Sequence, residues 1–243
     1  MTKVQISRVR RMVRIVQTMS TEFAKVEGPR RICDVIFDMD GTLVDNMELI
    51  VRSLNFAVSD IVGRSFSRKE AYSLFGPTLE EIIVSLVPST EGENCVRKYH
   101  RYYRENFNKL ASVYAGIPAL LTHLQSAGIG TAVYTGSDGR MTKTTLELTG
   151  LQKHFAVVVT ADEVKKQKPD PEGLIRTLDS MHGKREATLY LGDAVRDVEA
   201  AKRASMVSAA ALWGFGDPAT LRASKPDFAF DEPLDALPQL TDA

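Results

Sequence analysis

The sequence predicts an α/β fold: a Rossmann-like parallel sheet core with helices on both faces and an inserted α-helical subdomain. Three observations predict it. From Cys33 onward, short β-favouring runs alternate with segments of helical periodicity, the pattern of a parallel sheet covered on both sides. Several of those runs end in a polar residue. One long stretch, 46–112, breaks the alternation and shows helical signals only.

The first strand is "VIF", 35–37, running directly into "DMDGT", 38–42. The insert follows. Met47, Ile50, Leu54, Ala57, Val58 and Ile61 recur at helical spacing. Ser67 with Glu70, and Thr78 with Glu81, read as capping boxes. Gly76-Pro77 and Pro88 punctuate between helices. Val96, Tyr99, Tyr103 and Phe107 form an apolar stripe that ordinary packing explains. The alternation then resumes with "GIGTAVY" before Thr135, "FAVVVT" before Ala161, "ATLYLG" before Asp193 and "MVSAAALW" before Gly214. Helices are expected between them near 118–127, 139–149, 171–181 and 195–204. The expected organisation is an N-terminal extension over 1–31, a core over 32–45 and 113–243, and a helical cap over 46–112.

Bulk properties narrow the function classes. The 243 residues carry 31 Lys+Arg and 31 Asp+Glu, a net charge of zero, which gives no broad nucleic-acid-binding surface. No apolar run reaches the about 20 residues of a membrane span. Cys33 and Cys95 alone do not make a disulfide framework, so reduced thiols and a cytoplasmic setting are expected. The first 20 residues hold Lys3, Arg8, Arg10, Arg11 and Arg14, with no acid before Glu22. That stretch reads as a loose basic tail or as sequence upstream of a start at Met12 or Met19. An organelle transit peptide or a docked helix are the alternatives.

In open parallel sheets, ligands bind beyond the carboxyl ends of the strands. Here those ends carry Asp38 and Asp40, then Thr135, then Asp193, with Lys168 shortly after the third strand. Each has a bland reading as a turn, cap or solvated residue; their joint placement is what carries weight. Asp38 and Asp193 brought together repel unless a proton or a cation intervenes. Mg²⁺ accepts hard oxygen ligands and a substrate phosphate. Lys168 supplies a further positive charge. Thr135 offers a hydroxyl, and the backbone N–H groups of Gly136 and Ser137 can face an anion. The inventory suits phosphoryl transfer, in which positioning and charge neutralisation dominate. Asp38 can attack phosphorus as a carboxylate nucleophile. Asp40 can protonate the leaving oxygen and then activate water.

Four stretches in this order, "DMDGT", "AVYTGS", "KPDP" and "GDAVRD" at 192–197, resemble the haloacid-dehalogenase-type hydrolases over about 33–243. The resemblance implies an aspartyl-phosphate on Asp38 and Asp40 as general acid/base. It implies Mg²⁺ on the Asp38 carboxylate, the Asp40 carbonyl and Asp193, with Asp197 behind them or on a metal-bound water. Thr135 and Lys168 would hold the phosphoryl group. Asp40 argues against the dehalogenase and phosphonate-hydrolase branches, which lack that acid. Gly192-Asp193 differs from the Glu-Asp usual in β-phosphoglucomutases. The phosphoglycolate-phosphatase-like and pyrophosphatase-like branches fit better, and "FGPTLEEI", 75–82, resembles their cap segment facing the active site. Gly136, where many relatives have Asn, is a departure. The expected substrate is a small phosphorylated metabolite, with 2-phosphoglycolate first. Pyrophosphate, nucleotide or sugar phosphates and a phosphoglucomutase-like transfer are alternatives. No nucleic-acid or membrane partner is expected, and the chain is expected as monomer or homodimer. A signalling receiver domain shares the Asp, Thr and Lys, but Asp40 and the insert oppose it.

Overall fold

The computed structural model describes residues 31–241. The expected N-terminal extension therefore lies outside the described residues, apart from Arg31. A six-stranded, all-parallel sheet forms the centre, in the order β5-β4-β1-β6-β7-β8. Its strands are β1 (Asp34–Phe37), β4 (Gly130–Tyr134), β5 (Val157–Val159), β6 (Thr188–Gly192), β7 (Val207–Ala211) and β8 (Phe228–Phe230). Five are the runs expected from sequence. β8 is the sixth, a three-residue edge strand after a Lys-Pro-Asp segment, too short to show a period.

The two-residue alternation of a strand divides the interior. Val35 and Phe37 of β1, with Val133, Leu189 and Leu191, enter one apolar cluster. Ile36, with Ala132, Tyr134 and Tyr190, enters another on the opposite face. The first face is covered by α5 (Ile117–Ser126), through Leu120, Leu121 and Leu124, and by α6 (Gly139–Thr149), through Met141 and Leu146. The second is covered by α7 (Glu172–Met181), through Leu174 and Leu178, and by α8 (Val195–Arg203), through Ala200 and Ala201. α9 (Pro218–Ala223) and α10 (Leu237–Thr241) complete the C-terminal region. Cys33 and Cys95 are both free thiols. No helix among the described residues is long and apolar enough to cross a membrane.

Between β1 and β4 the chain makes a two-strand antiparallel ribbon, β2 (Val44–Asp45) against β3 (Ser112–Val113). Four helices lie between those strands: α1 (Met47–Val62), α2 (Arg68–Ser73), α3 (Leu79–Leu86) and α4 (Gly92–Leu110). Both expected capping boxes form, Ser67 with Glu70 at α2 and Thr78 with Glu81 at α3. α1 buries Met47, Ile50, Leu54, Ala57 and Val58, while Ile61 near its end is exposed. α4 buries Tyr99, Tyr103 and Phe107 in the same cluster as Val35 and Phe37. The apolar interior of the insert is therefore continuous with the cluster on that face of the sheet.

Candidate active site

Strand register sets the site. Phe37 stands level with Val133 of β4 and Leu191 of β6. One or two residues further on, three neighbouring strands release Asp38, Thr135 and Asp193 at the same edge. All three are buried. Lys168 arrives from the loop after β5. That loop is pinned where Glu172 accepts from the N–H groups of Lys165 and Lys166, and where Arg203 donates to the Pro169 carbonyl. Gly41 makes the tight turn after the strand: its φ is 81°, and a Cβ there would collide with the Asp193 carboxylate.

Lys168 is the hub. Its Nζ lies 2.9 Å from Asp38 Oδ2 and 2.7 Å from Asp197 Oδ1, and donates to the Tyr190 hydroxyl at 2.9 Å. Burial alone would lower the ammonium pKa; the carboxylates of Asp197 and Asp38 outweigh it and keep Lys168 charged. Asp197 is fully buried. It also accepts from Tyr190 and from the Ala194 N–H, so most of its lone pairs serve Lys168 and the α8 N-terminus.

Asp38 is pushed up to about 6, by burial first, with Lys168 opposing and Asp197 adding to the rise. Asp193 is pushed up to about 8 by burial, then by Asp197 and Asp38. It accepts from the Phe215 N–H at 2.7 Å and more distantly from Thr42. Asp40 is set apart from the lysine hub. The Ser137 hydroxyl donates to one of its oxygens at 2.5 Å and the Asn46 amide to the other at 2.6 Å. Burial raises its pKa against those two donors.

The three residues after β4, Thr135, Gly136 and Ser137, divide by what remains free. The Ser137 N–H donates to Thr135 Oγ1 and its hydroxyl is taken by Asp40, so neither donor points freely at an incoming anion. Thr135, having accepted, keeps its hydroxyl proton to give. Gly136 lines the cleft beside it.

Asp38, Asp193 and Asp197 hold ligand oxygens within 4.8 Å of one another. Four buried or half-buried carboxylates, counting Asp40, face two cations, Lys168 and Arg196. That deficit, with an all-oxygen donor set, fits a hard divalent cation.

The cleft is closed on the far side by the insert: Ile50 of α1, Tyr72 of α2, the Phe75, Gly76 and Pro77 linker, and Leu79 of α3. Three residues of the site were not singled out from sequence. Asn46 and Tyr190 are anonymous until packing brings them in. Arg196 had a readable signal, a cation in the first turn of a helix, where the dipole disfavours it. A second polar cluster, Glu80, His100 and Asp138, joins the insert to the N-terminus of α6. In the sequence His100, His123, His154 and His182 show no ligand spacing, which assigns none of them to a metal.

Residues 35–211 match the haloacid dehalogenase-like hydrolase family. The chain belongs to that family. Membership makes it a hydrolase, and the second acid of "DMDGT" places it with the phosphatase-type members. The pyrophosphatase PpaX of Bacillus cereus strain B4264 is 30% identical over 211 residues, 87% of this chain and 97% of that protein. Among solved structures, a predicted phosphoglycolate phosphatase from Haemophilus somnus 129PT superposes with a TM-score of 0.77. It is 23% identical and covers 86% of this chain and 98% of its own. CbbY from Rhodobacter sphaeroides, in complex with phosphate, superposes at 0.74 with 20% identity, over 87% of this chain and all of its own. At those identities the two structures establish the haloacid dehalogenase-like fold.

Proposed function

We propose that this hydrolase is a Mg²⁺-dependent phosphatase acting on a small-metabolite phosphate ester through an aspartyl-phosphate at Asp38. The observation that carries the reading is the division of labour between two acids one residue apart. Asp38 sits against the Lys168 ammonium, which favours its carboxylate. Asp40 is held by neutral hydrogen-bond donors only; burial raises both carboxyls, so the difference lies in the partner and not in the direction of the shift. A nucleophile needs the first environment and a general acid the second.

Asp38 attacks phosphorus, and Asp40 gives its proton to the departing oxygen. Asp40 then takes a proton from water, which attacks the acyl-phosphate and frees Asp38. Lys168 and the Thr135 hydroxyl hold the oxygens of the transferring group, and Gly136 leaves room for them. The residues suited to hold Mg²⁺ are Asp38, the Asp40 carbonyl and Asp193, with Asp197 supporting from behind through Lys168. When bound, the ion would neutralise charge on the phosphoryl group. Residues 46–112 are the cap, a helical unit that shields the leaving group from water.

For substrate, 2-phosphoglycolate leads. Pyrophosphate is the second reading, supported by the similarity to PpaX over nearly its whole length. The test is phosphate release from p-nitrophenyl phosphate and a panel of small phosphorylated metabolites, with Mg²⁺ and with excess EDTA. Turnover that survives EDTA would remove the metal from this scheme, and release from no substrate would remove the scheme.

A further inference from the structure

Arg196 is the charged side chain lining the cleft that the steps above do not use. It stands at the second position of α8, next to the Lys168-bound Asp197. Its guanidinium makes no hydrogen bond or ion pair with any described residue, and its Nε is buried without an acceptor. The carboxylates of Asp197, Asp38 and Asp193 act on it through space, yet none of them pairs with it. A guanidinium presents five donors in a planar fork that matches a carboxylate or phosphate. Leaving that fork unmet inside a cleft costs stability unless a ligand meets it.

The rest of the wall limits what that ligand is. Ile50, Phe75, Pro77 and Leu79 bring apolar side chains, and Tyr72 adds a hydroxyl within reach of the charges of Arg196 and Asp193. Gln167 adds one unmet acceptor: its amide nitrogen donates to the Ala161 carbonyl while Oε1 is buried without a partner. A hexose brings several hydroxyls, each needing a partner when desolvated. One cation, one tyrosine hydroxyl and one acceptor against an otherwise apolar wall suit a short leaving group with a single further anionic group.

We propose that Arg196 binds a second anion on the leaving portion of the substrate, so that the enzyme prefers short phosphate compounds carrying a carboxylate or a second phosphate over sugar phosphates. This deepens, and rests on, the phosphatase reading.

The test compares the wild-type chain with Arg196→Gln and Arg196→Lys, with Mg²⁺, by kcat/KM. The substrates are 2-phosphoglycolate, pyrophosphate, glucose 6-phosphate and p-nitrophenyl phosphate. The wild type should favour one of the first two, which separates a carboxylate from a phosphate as the second anion. Arg196→Gln should lower kcat/KM for that substrate about 10–100-fold, the range of a lost charged hydrogen-bonded pair, mainly through KM. The loss for glucose 6-phosphate and p-nitrophenyl phosphate should be about tenfold smaller, because they offer Arg196 no second anion. Arg196→Lys should keep part of the preference. Equal losses on all four substrates, or a wild type that favours glucose 6-phosphate, overturn the assignment. Should Arg196→Gln fail to fold by circular dichroism, Arg196→Lys decides: a selective fall supports the subsite and a uniform fall overturns it. Turnover of p-nitrophenyl phosphate with unaltered preferences defeats Arg196 alone, whereas no phosphate release from any of the four defeats the phosphatase reading.

Discussion

Asp38 and Asp40 share a turn yet meet different chemistry, and that difference generates separable outcomes on substitution. Asp38→Asn keeps the shape and the Met39 N–H contact but removes the attacking oxygen. Turnover should fall by at least about 10³-fold with an unchanged circular dichroism spectrum; a folded variant at half activity would exclude Asp38 as nucleophile. Asp40→Asn removes the transferable proton, the base of the second step and one of the two acceptors that Ser137 and Asn46 use; the acid part of its cost depends on how much the leaving group needs a proton. The loss should reach about 10²–10⁴-fold for an alkyl phosphate and be markedly smaller for p-nitrophenyl phosphate, whose leaving group departs unprotonated. Equal losses would take the acid role away from Asp40. These two residues, with Thr135, Lys168 and Asp193, were legible in the sequence because each closes a β-rich run or follows one closely, and the strand-end rule gathers them. Asn46, Tyr190 and the Glu80–His100–Asp138 group were not, because nothing local marks them: His100 meets Glu80 and Asp138 only through helix packing.

At the scale of elements, α4 does more than pad the insert. Its Tyr103 hydroxyl accepts from Asn46 at 2.8 Å and lies 3.0 Å from the Thr145 hydroxyl of α6, while Asn46 donates to Asp40. A chain of hydrogen bonds thus runs from the sheet-side helix through the insert to Asp40. Tyr103→Phe removes one hydroxyl from it at nearly constant volume. The expected cost is about 1 kcal/mol, or a Tm drop of about 2–4 °C for a chain of this size. It should also lower kcat more for poor leaving groups, because Asn46 is then held less firmly against Asp40. A Tm drop with kcat unchanged on every substrate would confine α4 to a structural role. The helices of the insert were readable from their capping boxes and apolar stripes. The β2–β3 ribbon and β8 were not, being two or three residues long, below the length at which alternation shows.

Over the whole molecule, the order β5-β4-β1-β6-β7-β8 gathers acids that the composition, with its zero net charge, conceals. The consequence is a stability that depends on pH and metal together. Asp38 and Asp193 titrate near 6 and 8 in the folded chain, both raised from 3.8. A raised carboxyl pKa means the folded state holds a proton that the unfolded state has released. The stability this contributes is present below about pH 4 and is lost as pH climbs through 6 and then 8. Without metal, the two groups should therefore weaken the fold progressively across that window. Mg²⁺ bound as proposed above would take the deprotonated oxygens and compete with those protons, so it should offset the loss where the loss is greatest. At a concentration about 100 times its dissociation constant it supplies about 2.7 kcal/mol, worth about 5–10 °C in Tm here. That gain should be near its full size at pH 8 and much reduced at pH 5.5. Differential scanning fluorimetry with EDTA and with Mg²⁺ at both pH values measures it. A shift of equal size at the two pH values would mean that the ion binds away from Asp38 and Asp193. The same scan on Asp193→Asn should show the Mg²⁺ increment largely gone and the metal-free Tm less sensitive to pH, because the carboxyl that burial pushes up to about 8 no longer titrates.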